Sequence, residues 1–572
     1  MVRKKHSEQP VNCSGSGQTF SKSHTKFPFW CRPLLLLVII LLLAASLRLF
    51  KLGQISPPGL NQDEAQNGWT AWCLLKTGKD VSGASWPVFY THGLGDNSPT
   101  LYIYLLMPFQ LIGGMNIFTT RLPAAVGGIF AVWLIYFIGK RLFNTETGLA
   151  AAALLALNPW HLQLSRWGHE ANIAPLLGLL PLAFMLWAGM PVSDEKTDSA
   201  KSFIAALGGA LSGICCYGYQ ALRLFIPAFL LVIILLMLLN RRQKLNSRKS
   251  IFAVGSFLIT FAVFFVPLAW QHIFHPEVIS RRTLTQKLWD TSAPFSEKVQ
   301  AVLMRYINHF SPDFLFVRGD IYDTQSLPGV GEFHWYMLPL MAVGIIALAY
   351  QFKRSYSTRI LSAFILIYPV SDCFGQAISS HALRSAPGSC SLILLAAVGA
   401  VASGKWLFKK NRKLAVSVVI VFFAAVTILN ARFFYRFYGE YNKQPAVYQR
   451  FFVDLVEACR WLSPRFDRYD AIFCTTEGLN IPYIVTLVAL GYDPNQWFSE
   501  PRKWFTEDVF ECYTRYGKMY FMYGQPIEPV LNELPPNPHV LVIVRPGQLN
   551  LKNPVYQIYD PNGEPILWLC EP

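Results

Sequence analysis

The sequence predicts an α-helical polytopic membrane protein with about 11 transmembrane helices and a C-terminal extracytoplasmic α/β domain. Of its 572 residues, 53% are hydrophobic and only 15% are charged. The apolar residues fall into long blocks, and a helix needs about 20 of them to cross the hydrocarbon core. From Ala431 onward the hydropathy falls, and the pattern changes to that of a soluble domain.

Eleven apolar blocks are the candidate spans. The first, "LLLLVIILLLAASL", is short for a bilayer, and we expect Arg32 and Arg48 to extend it by snorkelling. The stretch 99–113 is apolar but bounded by Pro and Gly, which indicates a helix in or near the interface. The blocks cover residues 34–47, 122–139, 148–160, 173–190, 203–219, 224–239, 251–270, 335–350, 360–378, 387–403 and 414–429.

The basic residues concentrate in alternate loops between these blocks. Their formal net charge of +16 could suggest nucleic-acid binding, but they do not share one soluble face. The alternation is the positive-inside pattern, which places the N-terminus in the cytoplasm. An odd number of spans then places the C-terminus outside, and nucleic acid is not expected as a partner.

Three regions follow from these patterns. Residues 1–31 are polar and predicted to be a disordered cytoplasmic tail, because they carry too little apolar surface to fold. Residues 32–431 form the membrane body, with outward loops at 50–119, 161–172 and 271–334. Residues 432–572 form the outer domain.

Within the outer domain, residues 448–462 have helical spacing, and "DAIFCTT", "KMYFMYG" and "HVLVIVR" are typical of strands. A hairpin is predicted around Asn562-Gly563. Disulfides are permitted outside the cell, so the cysteines of this domain could be paired or free. They are Cys459, Cys474, Cys512 and Cys570.

Two adjacent acids, Asp63 and Glu64, follow the first span in "GLNQDEAQ". One interpretation is a helix start, with Asn61 as the N-cap and the acids in the first turn. The other is a general base held at the membrane surface. Both can hold together, because the N-terminus of a helix is a rigid mount.

Other polar residues recur at the outer ends of the predicted spans. Each group has an ordinary explanation as an ion pair, a snorkelling arginine or a polar helix end. All of them nevertheless lie at the same level as Asp63. They are Arg166, His169 and Glu170 in "SRWGHEAN", Tyr219 and Arg223 in "YGYQALRLFIP", and His381 and Arg384 in "SSHALRSAPG".

Arginines at this level suit a lipid phosphate, because they form charge-assisted bidentate bonds and stay charged in a cleft of low dielectric. A phosphate leaving group needs charge stabilisation, and one carboxylate suffices to deprotonate an attacking hydroxyl. The pattern therefore indicates glycosyl transfer from a polyprenyl-phosphate sugar. There is no HExxH motif, phosphate-binding loop or metal-ligand spacing. No cofactor or metal is predicted, although a divalent metal stays open.

Several motifs in order resemble the membrane glycosyltransferases of the GT-C class. The chain is most similar to glycosyltransferase family 39, the bacterial relatives of protein O-mannosyltransferases and of the lipid A aminoarabinose transferase. The resemblance covers roughly residues 33–430. Its motifs are "TRLPAAVGG", "SRWGHEAN", "YGYQALRLFIP", "FSPDFLFVRGD" and "HALRS".

The resemblance implies a GT-C-like body and an inverting reaction. Asp63 would be the base, Glu64 would shape the acceptor or sugar site, and Glu170 would be the second acid. Arg166, Arg223 and Arg384 would face the donor phosphate, and the remaining donor-site candidates are His169, Tyr219, His381 and His92. Where relatives carry Lys-Pro-Pro, this chain has "HGLGDNSPT", so the contacts of that loop are open.

The predicted partners are a polyprenyl-phosphate-linked sugar, the bilayer, and a protein, lipid or glycan acceptor. The expected place is a bacterial inner membrane, with the site on the periplasmic face. The alternative function is a transporter or flippase of a lipid-linked sugar. Transporters carry charges or helix breaks near the bilayer midplane and in repeated halves, whereas here the charges lie at helix ends and no repeat is visible.

Overall fold

The computed structural model describes most of the chain, and the predicted tail up to residue 30 lies outside the described residues. Part of the outward loop 271–334 lies outside them as well. The described ranges are 31–190, 199–239, 248–275, 293–322, 324–374, 380–507, 510–525, 536–551 and 553–572.

The membrane body is helical, as predicted, and the first outward loop adds a short hairpin of β1 (Tyr90–Gly93) and β2 (Asp96–Pro99). The helices of the body are α1 (Cys31–Leu49), α2 (Gln62–Thr77), α3 (Leu101–Gly113), α4 (Ile117–Leu142), α5 (Thr145–Ala156), α6 (Pro159–Leu164), α7 (Ala174–Trp187), α8 (Ser199–Cys215), α9 (Leu222–Leu239), α10 (Arg248–Phe274), α11 (Phe295–Asn308), α12 (Met337–Gln351), α13 (Tyr356–Ile367), α14 (Ala382–Lys410) and α15 (Arg412–Tyr438).

Six stretches within the described residues are long and apolar enough to cross a membrane. Five further apolar helices have 10–17 residues, so length alone does not confirm a count of eleven. The block 360–378 is interrupted, because α13 ends at Ile367. The six stretches are Ile117–Leu142, Glu170–Trp187, Leu222–Leu239, Ile251–Phe274, Ala382–Lys410 and Arg412–Lys443.

Burial separates central helices from peripheral ones. In α14, 78% of the most apolar window is buried, whereas in Ile251–Phe274 and Arg412–Lys443 only 17% and 11% are buried. Apolar surface left exposed over that length suits lipid contact. Inside the body, small residues allow close approach: a Cβ on Gly399 of α14 would lie 1.8 Å from the Leu340 carbonyl oxygen of α12.

Arg48 does not snorkel, contrary to the expectation from sequence. It is fully buried at the end of α1. Its Nη1 donates to the carbonyl oxygen of Ala156 at 3.2 Å, and its Nη2 lies 2.7 Å from Nδ1 of His161. Arg48 therefore ties α1 to the end of α5 and to α6 instead of reaching for the membrane surface.

The C-terminal domain is the predicted α/β domain, and its described residues form one mixed sheet of seven strands. The strands are β3 (Ala471–Cys474), β4 (Arg502–Glu507), β5 (Phe510–Tyr516), β6 (Met519–Phe521), β7 (Val540–Val544), β8 (Tyr556–Tyr559) and β9 (Pro565–Cys570). Their order is β4-β5-β6-β3-β7-β9-β8. The central strand β3 is parallel to β6 and β7, and the remaining pairs are antiparallel.

The helices of this domain are α16 (Pro445–Arg450), α17 (Val453–Leu462), α18 (Pro482–Leu490) and α19 (Pro494–Ser499). The single helix predicted for 448–462 is broken at Phe451 and Phe452, where Phe452 has a φ of 45°. The four cysteines of the domain are buried and free. The sequence did not predict β4 and β5. The hairpin predicted at 562–563 is the turn between β8 and β9.

The C-terminal domain shares part of its hydrophobic core with the membrane body. One hydrophobic cluster joins Leu60, Ala65 and Trp69 of the first outward loop and α2 to residues of α17, α18 and the sheet. The rings of Trp69 and Trp497 lie 6.0 Å apart in an edge-to-face arrangement. The domain therefore packs directly on the helix that carries Asp63.

Candidate active site

Helix α2 begins as the sequence predicts, with Asn61 as its N-cap and a capping box. Oδ1 of Asn61 accepts from the Asp63 N–H at 2.9 Å, and the Asn61 N–H donates to Oε2 of Glu64 at 3.1 Å. The two acids separate at this point. Glu64 is fully buried, whereas Asp63 lines an open cavity.

The cavity has a volume of about 750 Å³. It lies between α2, the β1–β2 hairpin, the ends of several membrane helices and the C-terminal domain. Seven of the ten residues proposed from sequence line it: Asp63, His169, Glu170, Tyr219, Arg223, His381 and Arg384. Glu64, Arg166 and His92 are not among the lining residues.

Glu170 faces the same cavity as Asp63, and an amide connects the two segments. Nδ2 of Asn67, on α2, lies 3.3 Å from Oε2 of Glu170 and 3.2 Å from the Gly168 carbonyl oxygen. Glu170 begins a short 3₁₀ turn, Glu170–Ile173, for which His169 is the N-cap. The second acid is therefore fixed against the helix that carries the first.

Arg223 is the cation best placed for an anionic ligand. Its Nη1 donates to Nε2 of His272 at 3.0 Å, and its guanidinium lies 5.3 Å from the ring centroid of Tyr90. Its Nη2 is buried and has no hydrogen-bond partner among the described residues. A buried donor without a partner costs free energy, so this atom is suited to a ligand oxygen.

His381 lies next to two buried carboxylates, Asp320 of the motif "FSPDFLFVRGD" and Asp372, which the sequence did not indicate. Its Nδ1 is 3.5 Å from Oδ2 of Asp320, and its backbone N–H donates to Oδ2 of Asp372 at 3.0 Å. Asp372 also pairs with Arg305 at 2.9 Å and with His309 at 2.9 Å. Burial lowers the pKa of His381 to about 3 and raises the pKa of Asp320 to about 6. The imidazole that faces the cavity is therefore neutral at physiological pH.

The position of Arg166 does not support its assignment to the donor phosphate. The side chain is fully buried, outside the cavity. Its guanidinium donates to five backbone carbonyl oxygens at the end of α1 and in the segment that follows it, which belong to Leu47, Arg48, Phe50, Ile55 and Ser56. These five carbonyl oxygens occupy the N–H groups of Arg166 that would otherwise bind a phosphate.

Glu64 is likewise a structural residue at this position. Its Oε1 and Oε2 each accept from Arg121 at 2.8 Å, and Oε1 also accepts from the Gly168 N–H at 2.6 Å. Arg121 lies in the motif "TRLPAAVGG", which the sequence comparison used without giving this residue a role. Glu64 thus holds the mount of Asp63 rather than a substrate.

His92, in β1, contacts the C-terminal domain. Its Nε2 lies 2.9 Å from Oε1 of Glu511, and the neighbouring Leu94 carbonyl accepts from the Glu511 N–H at 3.3 Å. The segment "HGLGDNSPT" forms the β1–β2 hairpin, and its Gly93, Asp96 and Asn97 line the cavity. His92 therefore anchors the β1–β2 hairpin, which forms one wall of the cavity, to the C-terminal domain.

The His92 contact predicts a pH-dependent stability. The hydrogen bond to Glu511 raises the pKa of His92 above 6.5, so protonated His92 favours the folded contact. Its contribution is complete below about pH 6.5 and is lost as the pH rises through the higher folded value. We expect the melting temperature to fall over that window, and His92→Gln to remove this part of the dependence. Tryptophan fluorescence measures it, with exposed His539→Gln as the control that should leave the profile unchanged.

The chain is similar to known proteins in part of its sequence and in its fold. A family model described as dolichyl-phosphate-mannose-protein mannosyltransferase matches residues 97–270. The crystal structure of apo ArnT from Cupriavidus metallidurans matches with a TM-score of 0.53 and 11% identity, covering 94% of this chain and 97% of that one. The chain has a GT-C-like fold. This finding confirms the resemblance given by the motifs.

Two further structures are similar. ArnT from Cupriavidus metallidurans bound to undecaprenyl phosphate gives a TM-score of 0.50 at 13% identity, with 95% and 98% of the two chains covered. An Archaeoglobus fulgidus oligosaccharyltransferase tethered to an acceptor peptide gives 0.47 at 13% identity. The match covers 80% of this chain but only 63% of the length of that protein. No curated protein matches significantly.

The family model matches less than half of the chain, and the similarity to the solved structures shows a shared fold. The described part of the chain contains no group of three or more His, Cys, Asp or Glu residues that could hold a metal ion.

Proposed function

We propose that the protein transfers a sugar from a polyprenyl-phosphate carrier to a hydroxyl acceptor, with inversion, at the outer face of a bacterial inner membrane. The observation that carries this proposal is one cavity lined by Asp63 and Glu170 together with Arg223 and Arg384. It joins a candidate base to cations that suit a phosphate leaving group. The undecaprenyl phosphate bound by the related ArnT is a ligand of the proposed donor class.

In the proposed reaction the carboxylate of Asp63 takes the proton of the acceptor hydroxyl. The hydroxyl oxygen forms a bond to the anomeric carbon on the face opposite the phosphate. The bond between that carbon and the phosphate oxygen breaks, and the polyprenyl phosphate leaves as an anion. The proton then passes from Asp63 to water.

The cavity residues divide the remaining work. The buried Nη2 of Arg223, with Arg384, would stabilise the charge that develops on the phosphate. Glu170, held by Asn67, would accept hydrogen bonds from sugar or acceptor hydroxyl groups. Neutral His381 and Tyr219 would complete the sugar contacts. Burial raises the pKa of Tyr219, so its phenol stays protonated and can donate.

The test uses purified protein in liposomes that contain a labelled polyprenyl-phosphate sugar. Mannose, glucose and aminoarabinose donors are compared, and an envelope extract from cells lacking the protein supplies acceptors. We expect a new glycosidic bond whose anomeric configuration, read by NMR, is opposite to that of the donor. Movement of the labelled lipid between leaflets with no glycosidic product would instead favour a flippase.

A further inference from the structure

The N-terminus of α2 is fastened to the first residues of the C-terminal domain by two hydrogen bonds. The Leu60 N–H donates to the carbonyl oxygen of Phe451 at 2.7 Å. Nδ2 of Asn61 donates to the carbonyl oxygen of Arg450 at 3.0 Å. Arg450 is the last residue of α16 and Phe451 begins the break before α17, so this end of α16 faces the turn that precedes Asp63.

Asn61 is the residue through which the two sides connect. Its side chain uses Oδ1 to cap the backbone of Asp63 and Nδ2 to hold Arg450, and its own N–H holds Glu64. Asn61 is 5% exposed as a residue, so water does not replace these partners freely. Displacing Arg450 would therefore displace the cap of the helix on which Asp63 is mounted.

Residues 59–61 and residues 450–451 are in close van der Waals contact. A Cβ on Gly59, which has a φ of 62°, would lie 2.1 Å from the carbonyl oxygen of Phe451. The Phe451 ring is buried and lies 5.9 Å from the ring of Trp167 and 6.0 Å from the guanidinium of Arg121. Phe451 thus inserts into the membrane body next to the site, and its main chain cannot shift without moving the turn.

We propose that Asn61 is a positioning residue, through which the Arg450–Phe451 segment of the C-terminal domain sets the place of Asp63 in the cavity. The inference rests on the proposed function, in which Asp63 is the base. Under this proposal the C-terminal domain contributes to the geometry of the active site. A reacting group displaced by about 1 Å can lose about a hundredfold in rate, so a small slack in this link has a measurable effect.

Asn61→Ser tests the link, because serine caps a helix as well as asparagine but cannot reach Arg450 with an amide. The matched control is Asn116→Ser. Asn116 caps α4 with Oδ1 on the Thr119 N–H at 2.9 Å, and its Nδ2 donates to the Gly113 carbonyl at 2.9 Å. Both variants keep a cap and lose the amide donation to backbone carbonyl oxygens, which in Asn116 extends to Gly114 at 3.5 Å. Only the first variant loses a bond to the C-terminal domain.

We expect N61S to lower kcat at least about tenfold with the KM for the lipid donor unchanged, and N116S to retain wild-type kcat. Hydrogen exchange at the first turn of α2 should quicken in N61S alone. Equal kcat values in the two variants, or a raised donor KM at normal kcat, would overturn the inference. Asp63→Asn is measured alongside: if it is inactive, the proposed function stands whichever way N61S falls. If it is active, the base assignment and the positioning role both fall.

Discussion

Asp63→Asn is expected to lower sugar transfer at least about a hundredfold while the protein stays folded and inserted. General-base catalysis is worth about 10²–10⁴-fold, and an amide of the same shape cannot take the acceptor proton. The structure also explains why the fold should survive. The cap of α2 uses the backbone N–H of Asp63, and the buried ion pair uses Glu64, so the Asp63 carboxylate carries neither.

The measurement is the rate of transfer in liposomes at saturating donor, with binding of the labelled donor followed separately. Donor binding should persist in Asp63→Asn, because the proposed phosphate contacts come from Arg223 and Arg384. Asp313→Asn is the control, since Asp313 is an exposed acid whose partner is the exposed Arg318. Full transfer by the Asp63 variant would refute its role as the base.

The sequence predicted the parts of this fold that depend on local patterns. Apolar blocks gave the membrane helices, and the cap at Asn61 followed from the residue types at a helix start. The grouping of the cavity residues could also be predicted from the sequence, from their positions at the ends of the predicted spans. Outward helix ends lie at one level of a membrane, so Asp63, Glu170, Arg223 and Arg384 were expected to lie near one another, and all four line the cavity.

The errors arose where a residue's partner lies far away in the chain. Arg166 and Glu170 have helical spacing, but α6 ends at Leu164 and a 3₁₀ turn starts at Glu170, so no continuous helix joins them. Arg166 instead bonds to carbonyls more than 100 residues earlier. Periodicity cannot report such a contact, because it records only which face of an element is apolar.

The same limit explains the C-terminal domain. An apolar face on α2 can be recognised from Ala65 and Trp69, but its pattern does not say what covers it. The fall in hydropathy at residue 431 predicted the start of a soluble domain. In the structure the covering residues belong to α17, α18 and the sheet, so the boundary in composition is not a boundary in packing.

Arg121→Met is expected to destabilise the protein strongly, by about 3–5 kcal/mol, because it leaves the carboxylate of Glu64 buried without its partner. Both side chains are 0% exposed. Arg121 also donates to the carbonyl oxygens of Pro57 at 2.7 Å and Gly59 at 2.8 Å, and methionine cannot replace these bonds. The variant therefore loses an ion pair and the fastening of the loop before α2 together.

Thermal unfolding in detergent measures the effect, with Arg318→Met as the control. Arg318 pairs with Asp313, but the two side chains are 77% and 48% exposed, and exposed pairs contribute little. A double variant, Arg121→Met with Glu64→Gln, should recover part of the loss because it removes the stranded charge. If Arg121→Met melted like Arg318→Met, the buried pair would not hold the mount of Asp63. The assignment of a structural role to Glu64 and a catalytic role to Asp63 would then lose its physical basis.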